Sequence, residues 1–316
     1  MIKKLEKNGL PLTQHSKKTL IKRIKRHWQL YLIIFLPIVY LIVFKYTPIL
    51  GSQIAFRKYN FKDGIWNSPW VGFENFQTFF KSPQFSRLLT NTIGLSLYNI
   101  LAGVLPPIIL AIALSYIKFK RFGKTVQMVT YMPYFISTVL VIGILTQLLS
   151  LSGPINNIIV SLGGEKIHFL GEPGMFKTMY VFSGLWQATG YNTVIYLSAL
   201  AAVDPQLHEA AIVDGASIWQ RIRYVDIPSI LPTAVILLIL SCGHILSLGY
   251  EKVLLLQNDL NMATSDIIST YVYRIGLRSM QYSYSTAIGL FQSVVSLIML
   301  FLVNKIAKKF GETSLW

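Results

Sequence analysis

The 316-residue chain is 53% hydrophobic and 13% charged, whereas a soluble domain carries about a quarter charged residues. Its net charge of +16 is concentrated in the two tails and in connections between apolar blocks, a distribution that argues against a nucleic-acid surface and follows membrane topology instead. A soluble globule is excluded too, because six apolar blocks in a chain this short leave almost nothing for a wet surface. The single cysteine, Cys242, excludes an internal disulfide and a cysteine metal cluster.

A polar, basic tail occupies residues 1–28, with nine Lys and Arg before Trp28. It reads as a disordered or interfacial segment on anionic lipid. Six stretches without Asp, Glu, Lys or Arg follow, at 30–44, 88–117, 126–149, 178–203, 227–250 and 283–304. A spanning helix takes about 20 apolar residues. The expectation is therefore an all-α polytopic membrane protein whose membrane domain covers residues 29–305, with six transmembrane helices at about 29–48, 88–117, 126–149, 178–203, 229–250 and 284–304. The first is short, and Trp28, Tyr31 and Tyr46 extend it with side chains suited to the two interfaces. A basic tail before an apolar block also describes a signal peptide, but Lys45-Tyr46-Thr47-Pro48 offers no small-residue cleavage site, so the block reads as an uncleaved anchor. Pro37, Pro106, Pro107 and Pro133 each remove a backbone donor inside a span and bend or interrupt it.

The connection 47–87 is rich in aromatic residues, among them Trp66, Trp70, Phe73, Phe76, Phe79 and Phe80, and reads as a loop packed at the outer interface. Lys118, Lys120, Arg121 and Lys124 mark the next connection, and Lys305, Lys308 and Lys309 the last, which ends in the tail 306–316. With an even number of spans these basic segments share one face, which the positive-inside rule makes the cytoplasm, with both termini inside. The loops 150–177 and 251–282 then face out. In the second, Lys252, Arg274 and Arg278 either attract an acidic ligand or pair with Asp259 and Asp266.

Polar groups inside spans are costly unless they meet a partner or a cavity. Gln187, Tyr191, Asn192 and Tyr196 stand on the fourth span, and His244, Ser247 and Tyr250 on the fifth, with Glu251 just beyond. Gln187, Tyr191, Asn192, His244, Ser247, Tyr250 and Glu251 are candidate lining of a translocation path. Polar residues also bind helices to one another, so an interhelical role stays open for each.

Between the fourth and fifth blocks lies 204–228, the most informative segment. Asp204 can cap a helix with Pro205 at its first position. Gly215 supplies a left-handed turn, Ser217 can cap a second short helix, and Pro228 marks the exit into the fifth span. Ala210-Ala211 beside Glu209 lets another backbone approach, and one acid in a dry contact can hold an Arg of a partner. Asp204, Glu209, Asp214 and Asp226 against Arg221 and Arg223 make the segment locally acidic on a basic face, which favours a protein partner over lipid.

Glu209-Ala210-Ala211, three residues, then Gly215, and an Ile-x-x-x-x-Ile-Pro ending from Ile222 to Pro228 resemble the signature loop of permeases in binding-protein-dependent importers of the ATP-binding cassette class. Asp214-Gly215-Ala216 and Trp219-Gln220 match as well; Ile222 stands where an aromatic is common. The stretches 37–59, 69–76, 265–274 and 314–316 are similar to the branch that handles oligosaccharides and polysaccharide fragments. The resemblance implies a type I importer permease fold in a bacterial cytoplasmic membrane. Glu209 would pair with a basic residue of an ATPase subunit, Ala210 and Ala211 would pack in its cleft, Gly215 would form the bend, and Asp214, Ala216 and Pro228 complete the coupling element. It also implies a second, homologous permease subunit as heterodimer partner, two ATPase subunits that carry ATP and Mg, and an extracytoplasmic solute-binding protein. This chain itself would bind no cofactor or metal.

Other classes find weaker support. Residues 171–178 resemble a phosphate loop, but Phe176 replaces the glycine before Lys177. His208-Glu209 begins a zinc-protease pattern, but Ile212 replaces the second histidine. A six-span channel or secondary carrier needs titratable groups for ion coupling, and only His244 and Glu251 are available.

Overall fold

The computed structural model describes residues 25–310 and Ser314. Most of the basic tail, the end of the C-terminal tail and most of the 314–316 match lie outside the described residues. The regular structure of the described residues is helical, with one isolated bridge, Arg57 to Trp70.

The first apolar block forms α1 (Trp28–Leu41) and continues through a π-turn at Ile42–Tyr46 and two further turns to Phe56, beyond the expected end at 48. Pro48 does not stop it because the widened turn precedes it and places Pro48 in a fresh first turn, where its missing donor costs nothing. Thr47 Oγ1 donates to Ile42 O at 2.9 Å. Nothing on Trp28–Gly51 is buried, so this helix stands away from the bundle. The connection after it is folded, as its aromatic content suggests. Phe56 stacks on Trp70 at 5.6 Å, and on α2 (Glu74–Lys81) the buried Phe79 meets Phe85 and Phe291 edge-on.

The second block forms α3 (Gln84–Ser115), which runs unbroken through Pro106 and Pro107. The third does not form the single span expected at 126–149. It divides into α4 (Lys120–Tyr131), a 3-10 turn at Met132–Phe135 and α5 (Thr138–Leu149), because Pro133 ends one helix and Ser137 caps the next, accepting from Leu140 N. The apolar stretch then continues into α6 (Pro154–Ser161). The fourth block is α7 (Phe176–Ala201), packed along α3.

The loop 204–228 holds α8 (Pro205–Val213) and α9 (Ile218–Arg221). The second helix is not short, however, and Pro228 is not its exit. A π-turn at Ile222–Asp226 carries α9 straight into α10 (Ile227–Gly243), and this wider turn absorbs the ring and missing donor of Pro228. At its far end α10 stops at Gly243 and not at 250. The freed carbonyls of Ile245 and Leu246 are caught by Ser96 Oγ of α3 and Gln292 Nε2, which is how irregular backbone persists inside a bundle.

Residues 251–282 are not a simple outer loop. They contain α11 (Tyr250–Leu256) and α12 (Ile268–Tyr273) and bury Val253, Leu256, Ile267 and Ile268 against α3 and α7. The chain closes with α13 (Tyr282–Phe310). Among the described residues five helical stretches are long and apolar enough to cross a membrane: Trp28–Phe56, Gln84–Ser115, Thr138–Ser161, Ile218–Gly243 and Tyr282–Lys309. Helix α7 has the length but is less apolar than these.

Candidate functional site

The cytoplasm-type loop is built by local chemistry. Asp204 Oδ1 accepts from Gln206 N at 2.9 Å with Pro205 at the first helical position. Helix α8 ends in paired bonds, Gly215 N to Ile212 O at 3.0 Å and Ala216 N to Ala211 O at 2.8 Å, with Gly215 at φ +77°; this is the Schellman closure that glycine favours. Ser217 and Gln220 then form a reciprocal capping box. The tip leaves Val213 87% and Trp219 79% exposed, beside exposed Glu209, Ala210 and Asp214. Pro228 lies away from that tip, at the start of α10.

The acidity of this loop is smaller than the sequence suggests. Asp226 is buried. It accepts from the Tyr116 hydroxyl at 2.7 Å and lies 3.3 Å from His208 Nε2, while the Arg221 guanidinium covers the Tyr116 ring. Asp226 therefore ties α8 to the ends of α3 and α10, and the surface keeps Asp204, Glu209 and Asp214.

Two cavities adjoin within the bundle. The first, about 420 Å³, is bounded by α3, α7 and α10, with Ser96, Asn99, Asn192, Ser241, His244 and Ser247 among its lining. The second, about 440 Å³, is lined by Asn99, Tyr134, Thr138, Gln187, Asn192 and Lys252 among others. They share Asn99, Gly103 and Asn192. Their sizes suit small organic ligands.

Of the candidate path residues, Gln187, Asn192, His244 and Ser247 reach these cavities. Gln187 also binds helices, its Nε2 donating to Ile136 O at 2.8 Å, and Ser247 Oγ lies 3.5 Å from Ser296 Oγ. Tyr191, Tyr250 and Glu251 line neither cavity. Tyr191 stacks on Tyr134 at 3.9 Å and Tyr250 on Tyr273 at 5.2 Å, and Glu251 is exposed. The expected stripe His244, Ser247, Tyr250 fails because the helix has already ended at Gly243.

Asn99 is a lining residue that the sequence reading does not single out, although Ser96, Asn99 and Gly103 repeat at helical spacing on the second block. Of the basic residues at 251–282, Arg274 pairs with buried Asp266 at 2.7 Å, with Arg87 at 3.6 Å. Lys252 pairs with neither Asp259 nor Asp266. On α11, beyond the end of the span in α10, burial pulls its ammonium down from the ordinary lysine range to about 8.

Residues 103–312 match the family model of the binding-protein-dependent transport system inner membrane component. Protein LplB of Bacillus subtilis is 42% identical over 93% of this chain and 92% of its own length. The polygalacturonan/rhamnogalacturonan transport system permease protein YteP of the same organism is 42% identical over 96% and 94%. Among solved structures, a chain of a bacterial ABC transporter involved in the import of the acidic polysaccharide alginate superposes with a TM-score of 0.85 at 38% identity, covering 92% of this chain and 99% of that one. A chain of a bacterial alginate ABC transporter in complex with alginate pentasaccharide-bound periplasmic protein gives 0.85 at 37% identity, over 93% and 99%. The helical order, the capped loop and the matched length agree: this chain belongs to the family of binding-protein-dependent transport system inner membrane components, with the fold of a type I ABC importer permease.

Proposed function

We propose that this chain forms half of the translocation path of an importer of oligosaccharides, acidic polysaccharide fragments among them, in a bacterial cytoplasmic membrane. A second, homologous permease subunit completes the path, and an extracytoplasmic solute-binding protein delivers the cargo. The chain is not an enzyme: two ATPase subunits hold the ATP and Mg and dock on the 204–228 loop. The observation that carries this reading is the loop itself, a rigidly capped hairpin whose apolar tip, Val213 and Trp219, is exposed beside Glu209 and Ala210. Exposed apolar patches rimmed by polar groups mark protein contacts. Saccharide cargo is supported by the polar, two-part cavity and by the stated cargo of the relatives.

Gly215 gives the test. At φ +77° with nothing within 4 Å of a Cβ, Gly215→Val meets no neighbour and acts only through backbone strain of about 1–3 kcal/mol. Co-purification of the ATPase and saccharide uptake are both expected to fall several-fold, while Gly215→Asn, which tolerates that conformation, keeps both. Wild-type values for Gly215→Val in both assays would show that the hairpin is not the docking element.

A further inference from the structure

The second cavity contains a cation with no counter-ion. Lys252 Nζ donates to Tyr180 O at 2.8 Å and lies 4.7 Å from the centre of the Tyr180 ring, and both partners are neutral. No carboxylate pairs with it among the described residues, since the buried acids are already engaged: Asp266 with Arg274 and Arg87, Asp226 with Tyr116 and His208. An ammonium withdrawn from water without an opposite charge is costly. A buried charge without a counter-ion that borders a cavity is placed to meet an opposite charge there.

The chain makes room for this charge. A Cβ at Gly184 would stand 3.0 Å from Lys252 Nζ and 4.0 Å from Asn99 Oδ1, so the bare backbone of α7 is what lets the ammonium reach the cavity beside Asn99. The lining there is made of amides, Asn99, Asn192 and Gln187, and contains no acid. One of the three ammonium hydrogens is spent on Tyr180 O, which leaves two.

We propose that Lys252, with Asn99 and Asn192, forms a carboxylate subsite where the two cavities adjoin, and that it takes the uronate group of a passing acidic saccharide. This deepens, and rests on, the saccharide-importer reading above. Two free ammonium hydrogens and one amide hydrogen from each of two asparagines match the acceptor capacity of one carboxylate. A lysine acts as a point charge and not as a bidentate fork. That suits a transit site, where a ligand has to be held and then released.

The test uses cells that carry the whole importer and compares uptake of labelled galacturonate and mannuronate trimers with their methyl esters, which keep the sugar and lose the charge. Lys252→Met keeps the length of the side chain and removes the cation. The wild type is expected to favour acid over ester. In Lys252→Met that ratio is expected to fall about tenfold or more, with ester uptake reduced far less than acid uptake and the assembled complex still recovered. Both strains use the same binding protein, so its own selectivity cancels. An unchanged ratio overturns the subsite, as does an equal loss of acid and ester uptake, which would make Lys252 structural. A wild type that carries acid and ester equally also overturns it while leaving the importer reading in place. A wild type that carries none of these trimers, acid or ester, overturns instead the acidic-saccharide part of the proposed function.

Discussion

Gly190 and Gly184 lie on the same helix, α7, and face different neighbours. A Cβ at Gly190 would stand 2.0 Å from Thr130 O and 3.0 Å from Tyr131 N, so here the backbones of α7 and α4 touch, the close approach that small residues permit between membrane helices. Gly190→Ala has no side chain to push aside and must separate the two helices, at about 1–3 kcal/mol or more. The purified importer complex is expected to melt several degrees lower in detergent. Gly184→Ala meets only the tip of Lys252, which can swing away, and its melting temperature is expected to match the wild type. Equal melting temperatures for the two variants would remove the backbone contact as the reason for glycine at 190.

At the scale of elements, the Tyr116, Asp226 and His208 cluster joins three helices at one end of the bundle and so is placed to carry motion from α8 into α3 and α10. Tyr116→Phe leaves one oxygen of a buried carboxylate without its donor, at about 1–3 kcal/mol. The complex is expected to assemble, with the amount of saccharide carried per ATP hydrolysed reduced several-fold. Unchanged coupling in this variant would make the cluster a static anchor. In the sequence Asp226 reads as surface charge, because its partners lie about a hundred residues upstream and on the neighbouring helix, beyond the reach of local pattern. What is legible there is what a few neighbouring residues settle: the Asp204 cap, the turn at Gly215 and the Ser217 cap. The two helix ends that depart from the sequence reading share a cause. Pro228 passes inside a helix because a π-turn precedes it, and α10 stops at Gly243 because Ser96 and Gln292 hold the next carbonyls. In both cases the wider structure decides what the local residues leave open.

For the whole molecule, topology turns on α7. Five apolar helical stretches alone would put the termini on opposite faces, and the basic tail and Lys305, Lys308 and Lys309 would then break the positive-inside rule. At 26 residues α7 is about 39 Å long, enough to cross a bilayer, and its polar residues Gln187 and Asn192 face the cavities and not lipid. If α7 crosses, residues near Gly174 lie outside and the hairpin tip at Val213 lies in the cytoplasm, where ATPase subunits can reach it. Alkaline phosphatase inserted into the intact chain is therefore expected to be active after Gly174 and inactive after Val213. The intact chain matters, because a helix with this many polar residues is held across the membrane by α3 and its other neighbours more than by its own apolarity. Equal phosphatase activity at the two positions would remove α7 from the spans and place the hairpin on the same side as Gly174.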